Sequence, residues 1–330
     1  MNNILDRFLK ISLTYGLIIL LVLQIIVFGA ANENFLSTIN LFIVLQAVAV
    51  VSILALGVTA TLVVDGFDLS IGATASSSMM LSAYVMVVWE MSGLSAIAIC
   101  LLFGLIVGIT NGLLIVKMKI PDLLATLGIM FLLAGLQRIP TGGRSIAVGT
   151  ILPDGTTAQG KFTDFFLSIA RGKVFEVIPN SVIIMIILAI CIWIFMEFTK
   201  WGRVMYAVGG NEQAAKLAGA NVNNFKITAY AISGVYASIG GIIMSSRVGR
   251  GDIGSGGSLL LDSVAAALIG FAFLGLGRAN PFGTAVGAIF IGLLLNGLTL
   301  LNTPYYTQDF IKGVVLVLAL IITFGLKNKK

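Results

Sequence analysis

Residues 91–116 read MSGLSAIAICLLFGLIVGITNGLLIV, without one Asp, Glu, Lys or Arg. A helix crosses about 30 Å of hydrocarbon with about 20 residues at 1.5 Å each. This run is long enough to cross and strongly apolar throughout. Its glycines 104, 108 and 112 stand four apart, so they share one helix face and allow close approach of a neighbouring helix. Helix packing is the reading they favour, and a pore role is secondary.

Further charge-free runs lie on either side, at 11–32, 34–64, 69–89, 123–137, 177–196, 227–246, 279–308 and 313–326. A stretch at 253–277 is interrupted only by Asp262. As one helix the run 34–64 would be roughly 46 Å long. It is therefore read as an external segment followed by a helix from about residue 40 to 64. The pattern predicts an all-α integral membrane protein of about ten crossings. No linker or composition shift marks a second domain, so residues 1–330 are read as one transmembrane domain. It carries a long external loop at 140–180 and a cytoplasmic loop at 199–226.

Composition agrees. Hydrophobic residues make up 58% of the 330 and charged residues 10%, against about 45–50% and about 25% in a soluble domain. The chain has no histidine, which removes the Ser-His-Asp triad, His-based metal sites and His proton shuttles. Cys100 and Cys191 each sit inside an apolar run and read as packing. Neither a catalytic set, a metal site nor a cofactor site is expected.

An even number of crossings puts both termini on one side, and the positive-inside rule chooses it. With the N-terminus inside, the cytoplasmic segments hold Arg7, Lys10, Lys117, Lys119, Lys200, Arg203, Lys216, Lys226, Arg278, Lys327, Lys329 and Lys330. Most outer cations fall in or beside the long loop, where the rule is weak. The formal charge of +6 is thus a topology signal. No basic patch interleaved with aromatics points to nucleic acid. The first run is longer than a signal-peptide core, so it reads as an uncleaved helix.

Gly104–Leu113 and Gly287–Leu298 are both small-residue helices leading into Asn-Gly-Leu, at Asn111 and Asn296. They lie five crossings apart, so the copies would run in opposite directions, the pattern of an inverted repeat. Two nucleotide-site motifs fail. Gly155–Phe162 resembles a P-loop, but Phe162 stands where Ser or Thr should hold magnesium. Gly249–Gly254 matches GxGxxG without a βαβ unit and reads as a flexible outer loop. Any ATP use therefore needs a partner.

Three segments carry functional signals. In Asp65-Gly-Phe-Asp68-Leu-Ser70-Ile-Gly72, carboxylates and glycines interrupt apolar sequence. Asp68 capping the next helix is the favoured reading; a broken helix beside a transport path is the sharper one. In the cytoplasmic loop, Gly209 and Gly210 precede Asn211, a good N-cap, with Glu212 in the first turn and Gly219 at C′. That predicts a two-turn helix at 212–218, too short to stand alone in water. It must dock, on the membrane ends of the protein itself or on a cytoplasmic partner. Asp262 is either a buried site or a cap at the outer interface.

At these segments the chain resembles the permease subunits of bacterial ABC sugar importers of the ribose type. That family carries Gly-Gly-Ile-Asp-Leu-Ser-Val-Gly where this chain has Asp65–Gly72. It carries Ala-Ile-Gly-Gly-Asn-Pro-Glu-Ala-Ala where this chain has Ala207–Ala215. Its Leu-Asp-x-Ile-Ala-Ala and Gly-Thr-hydrophobic-Gly-Ala segments resemble Leu261–Ala266 and Gly283–Ala288. Asn296-Gly-Leu298 and Tyr305–Gly313 resemble its C-terminal end. The likeness spans roughly residues 40–325. It departs at Glu212, where the family has Pro, and at Gly270-Phe271, where the family has Gly-Gly.

The resemblance implies about ten crossings, both termini inside and related halves of opposite orientation, in the bacterial cytoplasmic membrane. It implies a second permease copy or sister permease, a cytoplasmic ATPase and an extracytoplasmic sugar-binding protein. The ATPase would grip Asn211–Gly219, with Gly209, Gly210, Glu212, Ala214 and Ala215 as coupling residues. The binding protein would meet the outer loops near 141–180, 247–258 and 302–308. Asp65, Asp68, Ser70, Asn111, Asp262 and Asn296 are the candidate pathway or structural residues. Ser76, Ser77 and Gln46 are further candidate path liners, although helix-to-helix bonding is the commoner role for such groups. The rival is an ion-coupled secondary transporter of a small polar solute, which would want a buried carboxylate in its spans.

Overall fold

A computed structural model describes residues 2–273 and 278–325 of the chain, and they are predominantly helical. In chain order the elements are α1 (Asn2–Ala31), α2 (Thr38–Val63), α3 (Ile71–Val87), α4 (Gly93–Val116), α5 (Asp122–Leu136), α6 (Asp164–Arg171), β1 (Lys173–Val174), β2 (Ile178–Pro179), α7 (Asn180–Phe198), α8 (Lys200–Gly210), α9 (Glu212–Leu217), α10 (Val222–Val248), α11 (Gly256–Phe273), α12 (Pro281–Leu300) and α13 (Tyr305–Gly325). Among the described residues, six helices are long and apolar enough to cross a membrane: α2, α4, α5 with the turn after it, α7, α10 and α12. Shorter apolar helices run over Gly16–Ala31, Ile71–Val87 and Gly256–Ala272. The end of the run 253–277 and Lys327, Lys329 and Lys330 lie outside the described residues.

Local chemistry sets the helix starts. Ser37 accepts from Asn40 N at 3.3 Å, Ser92 from Ser95 N at 3.2 Å, and Asn280 from Gly283 N at 2.6 Å with Pro281 following it. The cap at Ser37 starts α2 at Thr38, close to the expected residue 40.

Two boundaries differ from expectation. The run 279–308 breaks at Leu301–Pro304, where Asn302 is left-handed at φ 54° and Pro304 cannot continue a helix. α13 then begins at Tyr305 instead of after Lys312, so Asp309 and Lys312 lie within it. The loop expected at 302–308 is correspondingly short, running from Leu301 to Pro304.

The long loop also holds structure. It contains a 3-10 turn at Ile139–Thr141, then α6, whose N-cap Thr163 accepts from Phe166 N, then the β1–β2 hairpin. Gly249–Gly254 is not a free loop. Gly249 ends α10 at φ 74°, and Gly251 exchanges backbone hydrogen bonds of 2.8 Å with Ile146. The segment 199–226 is likewise more ordered than expected. Thr199 caps α8 through Gly202 N at 3.1 Å, and α10 starts at Val222.

The centre of the bundle is α2 against α10. Each has 61% of its spanning window buried. α10 also packs on α3 and α4, while α2 packs on α11 and α12. The α4–α10 seam rests on absent side chains. A Cβ on Gly108 would lie 2.2 Å from the Tyr230 carbonyl oxygen, and one on Gly104 would lie 2.3 Å from that of Gly234. The glycines four apart therefore serve packing, as their spacing suggests.

Candidate functional site

α9 forms where its caps predict. Asn211 Oδ1 accepts from Ala214 N at 2.9 Å, and Gly219 follows the helix at φ 88°. The helix ends at Leu217, one residue earlier than expected. Glu212 reaches back to Lys226 at the start of α10, 2.6 Å away. Ala215 is buried, whereas Gln213, Ala214, Lys216 and Leu217 are exposed. Leu217 is 90% exposed, the opposite of what an apolar side chain does when it has a partner. One face of α9 thus docks on its own chain and the other is bare.

α8, just before it, packs on α2, α7 and α10. At its C-terminal end a Cβ on Gly209 would fall 2.1 Å from the Val63 carbonyl oxygen and 3.1 Å from Asp65 N. Gly210 has open space around it. On α8 as well, the Tyr206 ring lies under the Arg278 guanidinium, 3.9 Å from ring centroid to Cζ. Arg278 pairs with Glu197, to which Tyr206 Oη donates at 3.2 Å. Burial, helped by the Glu197 charge, pushes the Tyr206 hydroxyl up to about 12. No sequence motif announces this cluster, because Glu197 and Arg278 stand 81 residues apart.

The segment Val63–Ser70 is a hydrogen-bonded node. Asp68 Oδ1 accepts from Ser70 N at 2.8 Å and from Ser70 Oγ at 2.6 Å, and Asp68 Oδ2 accepts from Ser233 Oγ of α10 at 2.6 Å. Asn111 Nδ2 of α4 donates to Ser70 Oγ at 2.8 Å. Asp68 and Ser70 are fully buried, Asp65 is exposed with φ 58°, and Gly66 packs on the Tyr230 hydroxyl. Asp68 therefore shapes the turn before α3 and also ties it to α10. The expected cap is not formed: the N-cap of α3 is Ser70, which makes no side-chain cap bond, and Asp68 bonds Ser70 rather than an N–H inside the helix. Phe67 N donates to Asp122 Oδ2 at 2.7 Å and Leu69 N to Thr126 Oγ1 at 3.1 Å, which joins the node to α5. A cavity of about 240 Å³ opens beside the node among Asp65, Asp122, Lys119, Lys226 and Tyr230.

The other candidates separate. Asn296 of α12 and Asn40 of α2 exchange two amide hydrogen bonds of 2.8 Å. Asn111 and Asn296 thus bond element to element, and they do so with unlike partners. Asp262 is buried in α11 and lies 3.1 Å from Lys312 of α13. It is an interhelical ion partner, not a cap. Ser76 Oγ donates to Gln137 Oε1 at 2.6 Å. Ser77 and Gln137 border a second cavity of about 360 Å³, with Tyr84, Trp89, Phe103 and Leu136. Gln46 is half-buried on α2. Gly270 has no room for a side chain, its Cβ position being 2.3 Å from the Gly283 carbonyl carbon. Phe271 packs half-buried on the core.

Residues 40–320 match the family described as branched-chain amino acid transport system / permease component. The ribose import permease protein of Escherichia coli (strain K12) is 35% identical over 315 residues, covering 96% of this chain and 93% of that relative. The ribose import permease protein of Bacillus subtilis (strain 168) is 33% identical over 314 residues, covering 95% and 92%. The fructose import permease protein of Rhizobium meliloti is 30% identical over 324 residues, covering 96% and 87%. No solved structure matches.

Proposed function

The chain belongs to the branched-chain amino acid transport system / permease component family, and from that membership we propose that it is the membrane-spanning permease of an ATP-driven ABC importer of a monosaccharide. It is a multi-pass sugar permease of the ribose type and a transport subunit, not an enzyme. The observation that carries this reading is the likeness to ribose and fructose import permeases along nearly the whole chain.

In this reading the single domain 1–330 crosses the bacterial inner membrane about ten times, through α1–α5, α7 and α10–α13. Both termini are cytoplasmic. Lys117, Lys119, Lys200, Arg203, Lys216, Lys226 and Arg278 in the short loops support that side as the inner one. An inverted repeat is supported by the packing. α10 lies on α3 and α4 as α2 lies on α11 and α12, which is the exchange expected of two related halves. A second permease, identical or sister, completes the channel, and a sugar-binding protein docks on the outer loops.

A cytoplasmic ATPase grips the bare face of α9. The helix is held to α10 by Glu212–Lys226 and presents Ala214 and Leu217 outward. Hydrolysis in that partner moves α8 and α9 and reorients the spans by alternating access. The ion-coupled alternative is not favoured, since Asp262 has Lys312 and Asp68 has Ser70 and Ser233. Uptake of labelled D-ribose into proteoliposomes, with ATPase and receptor added, tests the reading. Uptake should stop when ATP is depleted while ion gradients are held. Uptake that continues unchanged would refute it.

A further inference from the structure

Several contacts join end to end from α8 to α5. They start at α8, whose backbone at Gly209 bears directly on Val63 and Asp65. The turn continues to Phe67 and Leu69, whose N–H groups donate to Asp122 and Thr126 in the first turns of α5. The same turn is held to the core at Asp68 by Ser233 and at Ser70 by Asn111. One part of the turn is therefore pinned to α10 and α4, while its neighbours touch α8 on one side and α5 on the other.

α5 has few contacts within its own chain. Only 17% of its spanning window is buried there, against 61% for α2 and α10. Its 15 residues make a rod of about 22 Å. The far end reaches the second cavity, where Leu136 and Gln137 form part of the wall and Gln137 accepts from Ser76. A displacement at the Asp122 end is carried to the Gln137 end because the helix backbone is internally bonded and stiff.

The geometry points to a linkage in which α8 displaces the Val63–Phe67 arm about a pivot at Asp68–Ser70, and the arm carries α5, through the Phe67–Asp122 bond, to reshape the cavity at Gln137. Asp122 is the principal positioning residue, because its carboxylate makes a charge-assisted bond and the hydroxyl of Thr126 does not. The linkage rests on the reading of α9 as the ATPase-facing helix, and its test separates the two.

The importer is assembled in proteoliposomes with ATPase and receptor, using the unaltered chain, Asp122→Ala and Asp122→Asn. ATPase retention, ATP hydrolysis and D-ribose uptake are measured separately. Asp122→Ala should retain the ATPase and hydrolyse ATP, while uptake per ATP falls about tenfold or more. Asp122→Asn keeps an acceptor oxygen for Phe67 N–H without the charge and should restore part of that ratio. An unchanged ratio in Asp122→Ala, or parallel loss of hydrolysis and uptake, overturns the linkage. A second measurement does not depend on that variant. Leu132→Cys on the exposed side of α5, in a chain carrying Cys191→Ser, is labelled with maleimide with and without ATP. A nucleotide-dependent rate supports the linkage and a nucleotide-independent one overturns it. Failure of the unaltered chain to bind the ATPase at all would instead defeat the reading of α9 and the linkage with it.

Discussion

Leu217 gives the sharpest test of the α9 interface. It sits in the last turn of a six-residue helix and is 90% exposed, so the folded chain gains little from it. Docking of a partner on that face would remove the side chain from water. Full burial of a leucine is worth about 1.5–3 kcal/mol. At 1.4 kcal/mol per factor of ten, Leu217→Ser should weaken ATPase capture about ten- to a hundredfold. The stability of the permease itself should stay within about 0.5 kcal/mol, as for other surface changes. The assay is titration of purified ATPase against permease in nanodiscs, with Tm of the free permease as control. An affinity unchanged within a factor of about two, with Tm also unchanged, would refute the docking argument. Ala215→Asp is a poorer probe. Ala215 faces its own chain, so a charge there undocks α9 and confuses partner binding with stability.

Other outcomes follow from single contacts. Gly108→Val should abolish the monodisperse detergent-extracted protein seen by size-exclusion chromatography, since its Cβ would meet the Tyr230 carbonyl oxygen at 2.2 Å. Asp262→Asn leaves Lys312, whose side chain is only 17% exposed, with the more exposed Asp309 as its remaining carboxylate partner. It should cost less in thermal unfolding than the about 3–5 kcal/mol of a fully broken buried pair, and adding Lys312→Met should recover most of that. Asn296→Ala leaves the Asn40 amide short of both its interhelical bonds. Its unfolding cost should be about 0.6–1.7 kcal/mol, the range of such bonds inside membranes.

The helical runs were legible because charge is scarce and expensive at membrane depth. α4 was read as 91–116 and is Gly93–Val116. α9 was legible for a different reason, since Asn211 and Gly219 act within a few residues of the backbone they cap. The node was not legible beyond its own turn. Ser233 looks like any small residue in an apolar helix, and it meets Asp68 only because α10 folds back across 165 residues. Asn111 and Asn296 look equivalent in their matching Asn-Gly-Leu contexts, yet one bonds the Ser70 turn and the other bonds α2.

The reading that failed most plainly, the start of α13, fails for an instructive reason. Lys312 was treated as a boundary because a free ammonium does not enter an apolar span. Here it is flanked by Asp309 and Asp262 at 3.4 and 3.1 Å, and a paired charge no longer marks a boundary. Asp68 differs: its carboxylate is buried with three hydrogen bonds, yet it lies in the turn between α2 and α3 and still marks a boundary. A charge beside a charge-free run therefore marks a span end unless it is paired from within a helix. Where the rule breaks, a partner must lie within about 4 Å. At Asp262 that partner is Lys312 of another helix, and at the buried Asp68 one of three bonds comes from Ser233 of α10, so the buried charges identify long-range contacts that hold the bundle together.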